Sequence, residues 1–309
     1  WNGSQRIVWK ISFLISESAI LNCFQHLVDL NKDDLVIVGS GDDAAVIKSH
    51  DKDLVHSVDI SKINSHFPQG SMPQDIAYRS IAVALSDIAA MGAFPAFISI
   101  GLTSNITDLK WYKQFTLGVE EILNEYQLKL IGGDVTNGEI SVCVNVFGYA
   151  YEKNILRSTA KVGDLIYITG PLGEGRKGLK DWKNNQQTKY IKKFFKPKVD
   201  FDKSKYISKY ATSCIDISDG LVKDLTRICK SSKVGAEIIY ENIPITNDID
   251  DLSYGDDYKL CYTCSPEFKN NEFISKDFCI GEIKLDTEII IKKDNSAISF
   301  KKHGWDSFE

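Results

Sequence analysis

The stretch SMPQDIAYRSIAVALSDIAAMGA, residues 71–93, has helical periodicity and is apolar on most of its faces, so it is expected to be a buried helix. Ser71 with Gln74 three residues on predicts a capping box at its start, and Gly92 marks its stop. Asp87 lies on the small-residue side, at helical spacing from Ser80, Val83 and Ala90. A buried carboxylate without a partner is very unfavourable, so Asp87 needs one nearby.

Strands flank this helix. DLVHSVDI (53–60) has the two-residue period that sends Val55, Ser57 and Asp59 to one face and Leu54, His56 and Val58 to the other. Ahead of it, 35–38 and 44–47 read as short strands joined by the loop GSGDD, which ends in Asp42 and Asp43. After it come the strand PAFISIGLT, an amphipathic helix over 109–127, the strand LKLIGGDVT with a Gly-Gly-Asp turn expected at Asp134, and the strand ISVCVNVFGYAY. Polar residues break the pattern between Tyr151 and Lys161. Beyond them GDLIYITGPLG, ATSCIDISDGLVKDLTRIC, VGAEIIYENIPI and YKLCYTC alternate strand and helix, with a strand to Ile217 and a helix N-cap expected at Ser218. The fold class is α/β (of the α+β type), in two domains over 12–150 and 151–309.

The 309 residues are 43% hydrophobic and 26% charged, with a net charge of −5, which describes a soluble globular chain and argues against a nucleic-acid partner. The Lys-rich run from Lys177 to Lys209 reads as a solvated surface. Seven scattered cysteines suggest no disulfide framework and fit a reducing cytoplasm, and the CxxC at Cys261–Cys264 sits in a strand-like context suited to burial. The uncharged run 88–107 is interrupted by Gly92, Pro95 and Gly101, which predicts a helix end followed by a strand rather than a membrane span. No secretion signal is evident.

The chemistry lies in a recurring pattern: an apolar strand ends, a small residue or glycine follows, and an aspartate appears. It occurs at Asp42/Asp43, Asp59, Asp134 and Asp216/Asp219, and Asp87 joins from the helix. Taken singly, each is also what a turn or cap would use. Converging carboxylates need cations, and hard oxygen ligands suit Mg²⁺ and phosphate chemistry. Walker A and protein-kinase signatures are absent from the sequence. The residues by themselves imply a Mg²⁺-dependent enzyme acting on phosphates.

In their order, GSGDDAAVI, VDISKINSHF, DIAYRSIAVALSDIAAMGAFP, LIGGDVTNG, RSTAKVGDLIYITGPLG, IDISDGL, GDDYKLCYT and GWDSF resemble the thiamine-monophosphate kinase family of the PurM-like superfamily, from about Phe13 to Phe308. The resemblance implies a two-domain PurM-like fold, an N-terminal sheet pairing across a homodimer, and ATP-dependent phosphorylation of thiamine monophosphate. It implies that Asp43, Ser57, Val58 (through its backbone), Asp59, Asp87, Asp134, Asp216 and Asp219 hold several Mg²⁺ ions, with Asp43, Asp87 and Asp216 central to catalysis. Gly133, Asp134, Arg157 and Ser218 would contact ATP, and His66, Asp256 and Trp305 the thiamine phosphate. Asp42 would hydrogen-bond the loop or reach a metal through water. The chain departs from the family pattern at Val58 (commonly Thr), Asn137 (commonly Arg), Asp256 (usually Glu) and Lys259 (usually Glu). The competing readings are another PurM-like enzyme, of the aminoimidazole ribotide or selenophosphate synthetase type, and a non-catalytic nucleotide- or metal-binding module.

Overall fold

The computed structural model describes residues 16–29, 36–38, 44–47, 49–298 and 304–306. Asp42, Asp43 and the glycine loop before them lie outside the described residues.

The buried helix, α2 (Pro73–Ala90), is the pivot: fifteen of its eighteen residues are buried. One side packs on a four-stranded sheet built from β3 (Leu54–Lys62), β4 (Ala93–Thr103), β5 (Lys129–Thr136) and β6 (Ser141–Ala150), in the order β3-β6-β4-β5. Beside it lies α3 (Leu109–Tyr126), capped by Asp108 and ended by Gln127 in the left-handed region. Gly118 lets α3 approach closely, because a Cβ there would stand 2.0 Å from the Gln74 carbonyl oxygen. The remaining N-terminal elements are α1 (Glu17–Asp29) and the antiparallel pair β1 (Val36–Val38) and β2 (Val46–Ile47).

The second half forms a seven-stranded sheet in the order β13-β12-β9-β11-β7-β10-β8. Its strands are β7 (Leu165–Ile168), β8 (Ala211–Asp216), β9 (Gly235–Ile239), β10 (Leu260–Cys264), β11 (Phe278–Lys284), β12 (Ile289–Lys293) and β13 (Ser296–Ile298). α4 (Glu174–Lys183), α5 (Lys189–Phe195) and α6 (Phe201–Tyr210) precede β8, and α7 (Leu221–Ser232) follows it; α8 (Asp251–Tyr254) is a single turn. Leu221, Leu225 and Ile228 of α7 close one apolar cluster with this sheet. Ile207, Cys214, Leu260 and Tyr262 join the α2 cluster instead, and the Ser204 hydroxyl donates to the Ala89 carbonyl oxygen at 2.7 Å. The two halves therefore share a core across α2.

Three local expectations are corrected. Met72, not Ser71, is the N-cap of α2 and gives no side-chain cap, with Pro73 at the first turn; Ser71 donates to the Pro68 carbonyl oxygen instead, at 2.7 Å. The Gly-Gly-Asp segment is strand throughout, because β5 continues past Asp134 in parallel register with β4. A Cβ at Gly133 would stand 2.5 Å from the Ile100 carbonyl oxygen, so the glycine answers close strand approach rather than a turn. The N-cap of α7 is Gly220 at φ 118°, two residues after Ser218, and β8 ends at Asp216.

The Lys-rich run is largely helical and carries a buried seam that includes Phe194 and Phe195. All seven cysteines are free, and Cys261 and Cys264 are buried in β10. Among the described residues, no helix is long and apolar enough to cross a membrane.

Candidate active site

Period two on β3 does what the alternation requires. Ser57 and Asp59 turn inward, while Val58 is 50% exposed on the outer face, so only its backbone is available to the inner side. The Ser57 hydroxyl donates to Asp87 Oδ2 at 2.6 Å, giving the carboxylate on α2 its partner. Burial and the charge of Asp87 together push the Asp59 carboxyl up to about 6. Asp216, at the end of β8 and 4% exposed, is also raised by burial, then by Asp87 and Asp224, while Arg157 pulls it the other way.

These carboxylates border one cavity of about 700 Å³ between the two halves, lined by Asp59, Asp87, Asp216, Ser218 and Asp219 with His66, Asp256 and Trp305. Ser65, His66 and Asp256 also border an adjoining recess of about 180 Å³.

The turn that presents Ser218 and Asp219 is built by Asp224, which is fully buried. Its Oδ2 accepts from the backbone N–H groups of Ser218, Asp219 and Gly220 at 3.1, 3.0 and 3.1 Å. Arg227 spans Asp224 Oδ1 and Asp219 Oδ2, both at 2.5 Å. Lys223 stands 3.2 Å from Asp219, and its ammonium also donates to the Trp305 carbonyl oxygen. The Trp305 N–H donates to the Asp219 carbonyl oxygen at 2.9 Å, which docks the C-terminal segment beside the carboxylates. The Trp305 ring meets His66 edge-on, with centroids 5.3 Å apart.

His66 Nδ1 accepts the Lys62 N–H at 3.0 Å, so in the neutral ring Nε2 carries the proton. Burial, then the neighbouring Arg79 charge, holds the imidazolium pKa below its usual value. Asp256 sits at φ 62°, a left-handed backbone that favours glycine, and is ion-paired to Arg79 at 2.5 Å.

Not every expected residue comes to this cavity. Gly133 and Asp134 are exposed on β5, away from the cavity lining, and Asp134 Oδ1 accepts from the Val135 N–H at 2.9 Å. Arg157 is exposed and outside the lining, although its charge reaches Asp216. Asp43 lies outside the described residues. Arg79, Asp224, Arg227 and Tyr258 were not anticipated. The sequence signal for Arg79 was a single long cation inside an otherwise apolar helix, and for Asp224 a second aspartate five residues after Asp219.

The donor set fits Mg²⁺: four carboxylates and a hydroxyl, all hard oxygens. Among the described residues, no three His, Cys, Asp or Glu side chains draw together tightly enough to enclose one ion. The carboxylates are instead distributed around the cavity wall.

Comparison with known proteins agrees with this architecture. Residues 41–150 match the family model described as AIR synthase related protein, N-terminal domain. The chain is 40% identical over 304 residues to a thiamine-monophosphate kinase of Buchnera aphidicola subsp. Schizaphis graminum, covering 90% of this chain and 94% of the relative. It is 33% identical over 301 residues to the thiamine-monophosphate kinase of Escherichia coli K12, covering 88% and 92% respectively. The crystal structure of thiamine-monophosphate kinase from Stenotrophomonas maltophilia K279a matches the fold with a TM-score of 0.81 at 27% identity, over 92% of this chain and 98% of that one.

Proposed function

The chain belongs to the thiamine-monophosphate kinase family, and from that premise we propose that it transfers the γ-phosphoryl group of ATP to thiamine monophosphate, giving thiamine diphosphate and ADP. The observation that carries the reading is the single cavity in which Asp59, Asp87, Asp216 and Asp219 meet His66, Asp256 and Trp305.

The acceptor is a phosphate already ionised at neutral pH. It attacks the γ-phosphorus directly, with no general base and no phosphoenzyme. The obstacle is the approach of two anions in a cavity already walled by carboxylates. Mg²⁺ ions held by Asp43, Ser57, the Val58 backbone, Asp59, Asp87, Asp134, Asp216 and Asp219 would supply the positive charge that offsets both. The raised Asp59 and Asp216 carboxyls support this: burial, and then the neighbouring carboxylates, oppose their ionised forms, and a cation bound between them would offset that repulsion.

Gly133, Asp134, Arg157 and Ser218 are assigned to ATP. Arg157 contributes a charge whose field already reaches Asp216, and the Ser218 turn is fixed by Asp224. Burial and the Arg79 charge disfavour the imidazolium form of His66, whose neutral ring offers an N–H donor at the cavity wall to the acceptor. Trp305, pinned through Asp219 and Lys223, offers a flat face to the acceptor's cationic ring.

The domains are assigned to 12–150 and 151–309, supported by the two sheets, one on each side of the loop after β6. The homodimer reading is supported by β3, an edge strand whose outer face exposes Leu54, Val58 and Ile60 at 54%, 50% and 54%. Free cysteines suit a cytoplasmic location. The test is incubation with ATP, Mg²⁺ and thiamine monophosphate, followed by chromatography for thiamine diphosphate. Absence of product while both substrates bind sinks the proposal.

A further inference from the structure

Arg79 is the only buried basic side chain among the described residues, at 2% exposure. A buried guanidinium persists only when its N–H groups are satisfied, because an unpaired buried charge is strongly destabilising. Its partners come from three separate segments. Nε donates to the His66 carbonyl oxygen at 2.9 Å, Nη1 to the Phe194 carbonyl oxygen at 2.5 Å, and Nη2 to Asp256 Oδ1 at 2.5 Å. The guanidinium also lies 4.0 Å from the centroid of the Phe194 ring. One side chain on α2 thus ties the loop after β3 to the end of α5 and to the loop before β10.

The Asp256 contact is asymmetric. Oδ1 accepts from both Arg79 and the Tyr258 hydroxyl, the latter at 3.0 Å. No hydrogen bond to Oδ2 is made by the described residues, and the Asp256 side chain, 24% exposed, borders both the cavity and its recess. Asp256 and Tyr258 both have left-handed backbones, at φ 62° and 51°. Such strain is retained where surrounding contacts over-determine it, and here the backbone N–H groups of Asp256 and Tyr258 bond to Ser218 and Ile217. Arg79 itself borders neither the cavity nor the recess.

We propose that Arg79 is a positioning residue for the phosphate acceptor: by holding Oδ1 of Asp256 and the main chain of His66 from behind, it aims Asp256 Oδ2 and the His66 ring at the acceptor and sets acceptor affinity without touching either substrate. This rests on the kinase reading and names what tunes its acceptor site. Lysine in place of Arg79 keeps the charge but has no planar fork to reach three segments at once. Tyr258 is the second holder of the same oxygen.

The test measures kcat and both KM values for wild type, Arg79→Lys, Tyr258→Phe, Asp256→Asn and the Arg79→Lys/Asp256→Asn double variant. Arg79→Lys is expected to raise KM for thiamine monophosphate about tenfold or more, and Tyr258→Phe about threefold, as loss of hydrogen bonds to a charged group predicts. KM for ATP stays within about twofold in both. The double variant is expected to lose much less than the product of the single losses, because Arg79 acts largely through Asp256. Multiplying losses, or equal changes in both KM values, overturn the inference. Should Arg79→Lys fail to fold, Arg79→Gln, which keeps a planar N–H donor, takes its place in the same cycle with Asp256→Asn and is judged by the same outcomes. A wild type that makes no thiamine diphosphate overturns the kinase reading and this inference with it; an active wild type with a uniform Arg79→Lys effect overturns this inference alone.

Discussion

Replacing Asp59 by Asn should stabilise the metal-free protein while disabling it. The Asp59 carboxyl is raised from 3.8 to about 6, chiefly by burial and then by Asp87. A displacement of that size corresponds to about 3 kcal/mol by which the folded, cation-free cavity disfavours the ionised form. With the folded pKa above the unfolded one, the folded state binds more protons between pH 3.8 and about 6, so wild-type stability falls as pH rises through that window and stays lowered above it. Asparagine carries no charge and escapes this. At pH 7.5 in EDTA, urea unfolding should show Asp59→Asn more stable by up to about 3 kcal/mol, less whatever the buried amide costs. The gain should vanish below about pH 4, where Asp59 is protonated in both states. Added Mg²⁺ should stabilise wild type more than the variant, and phosphoryl transfer should fall by about two orders of magnitude or more. A variant that is less stable than wild type at pH 7.5 in EDTA, or equally active with Mg²⁺, refutes the view that these carboxylates are held together for cations.

Asp224→Ala orphans three backbone N–H groups and leaves Arg227 with Asp219 as its remaining carboxylate partner; it should cost about 3 kcal/mol or more in urea unfolding and raise KM for ATP through the loosened Ser218 turn. Gly133→Ala places a Cβ 2.5 Å from the Ile100 carbonyl oxygen, so β5 must pull away from β4; about 1–3 kcal/mol of stability should be lost, with weaker ATP binding by calorimetry. Lys223→Ala removes the ammonium shared by Asp219 and the Trp305 carbonyl oxygen; it should raise KM for thiamine monophosphate several-fold and speed hydrogen exchange at the Trp305 N–H.

What local sequence controls was legible, and what tertiary contact controls was not. The alternation of DLVHSVDI placed Ser57 and Asp59 inward and Val58 outward, as β3 has them, because a pleated strand leaves no other choice. The apolar surround of Asp87 demanded a partner, which is Ser57. Gly133 of β5 misled, because a glycine selected for close strand approach looks in sequence like a glycine selected for a turn. Ser71 and Ser218 have cap chemistry, but Pro73 and Gly220 set where those helices begin. Arg79 and Asp256 are 177 residues apart, and no local pattern announces such a pair. Asp134 and Arg157 follow family motifs yet stand outside the cavity lining, so their roles belong to the proposal rather than to the geometry.

The most direct measurement follows the phosphorus. With ATP labelled in the γ-phosphoryl group, Mg²⁺ and thiamine monophosphate, the account predicts label only in the terminal phosphate of thiamine diphosphate, matched one for one by ADP, with none retained on denatured protein. Label appearing as inorganic phosphate alone, or bound covalently to the chain, contradicts direct transfer between two anions in this carboxylate-walled cavity.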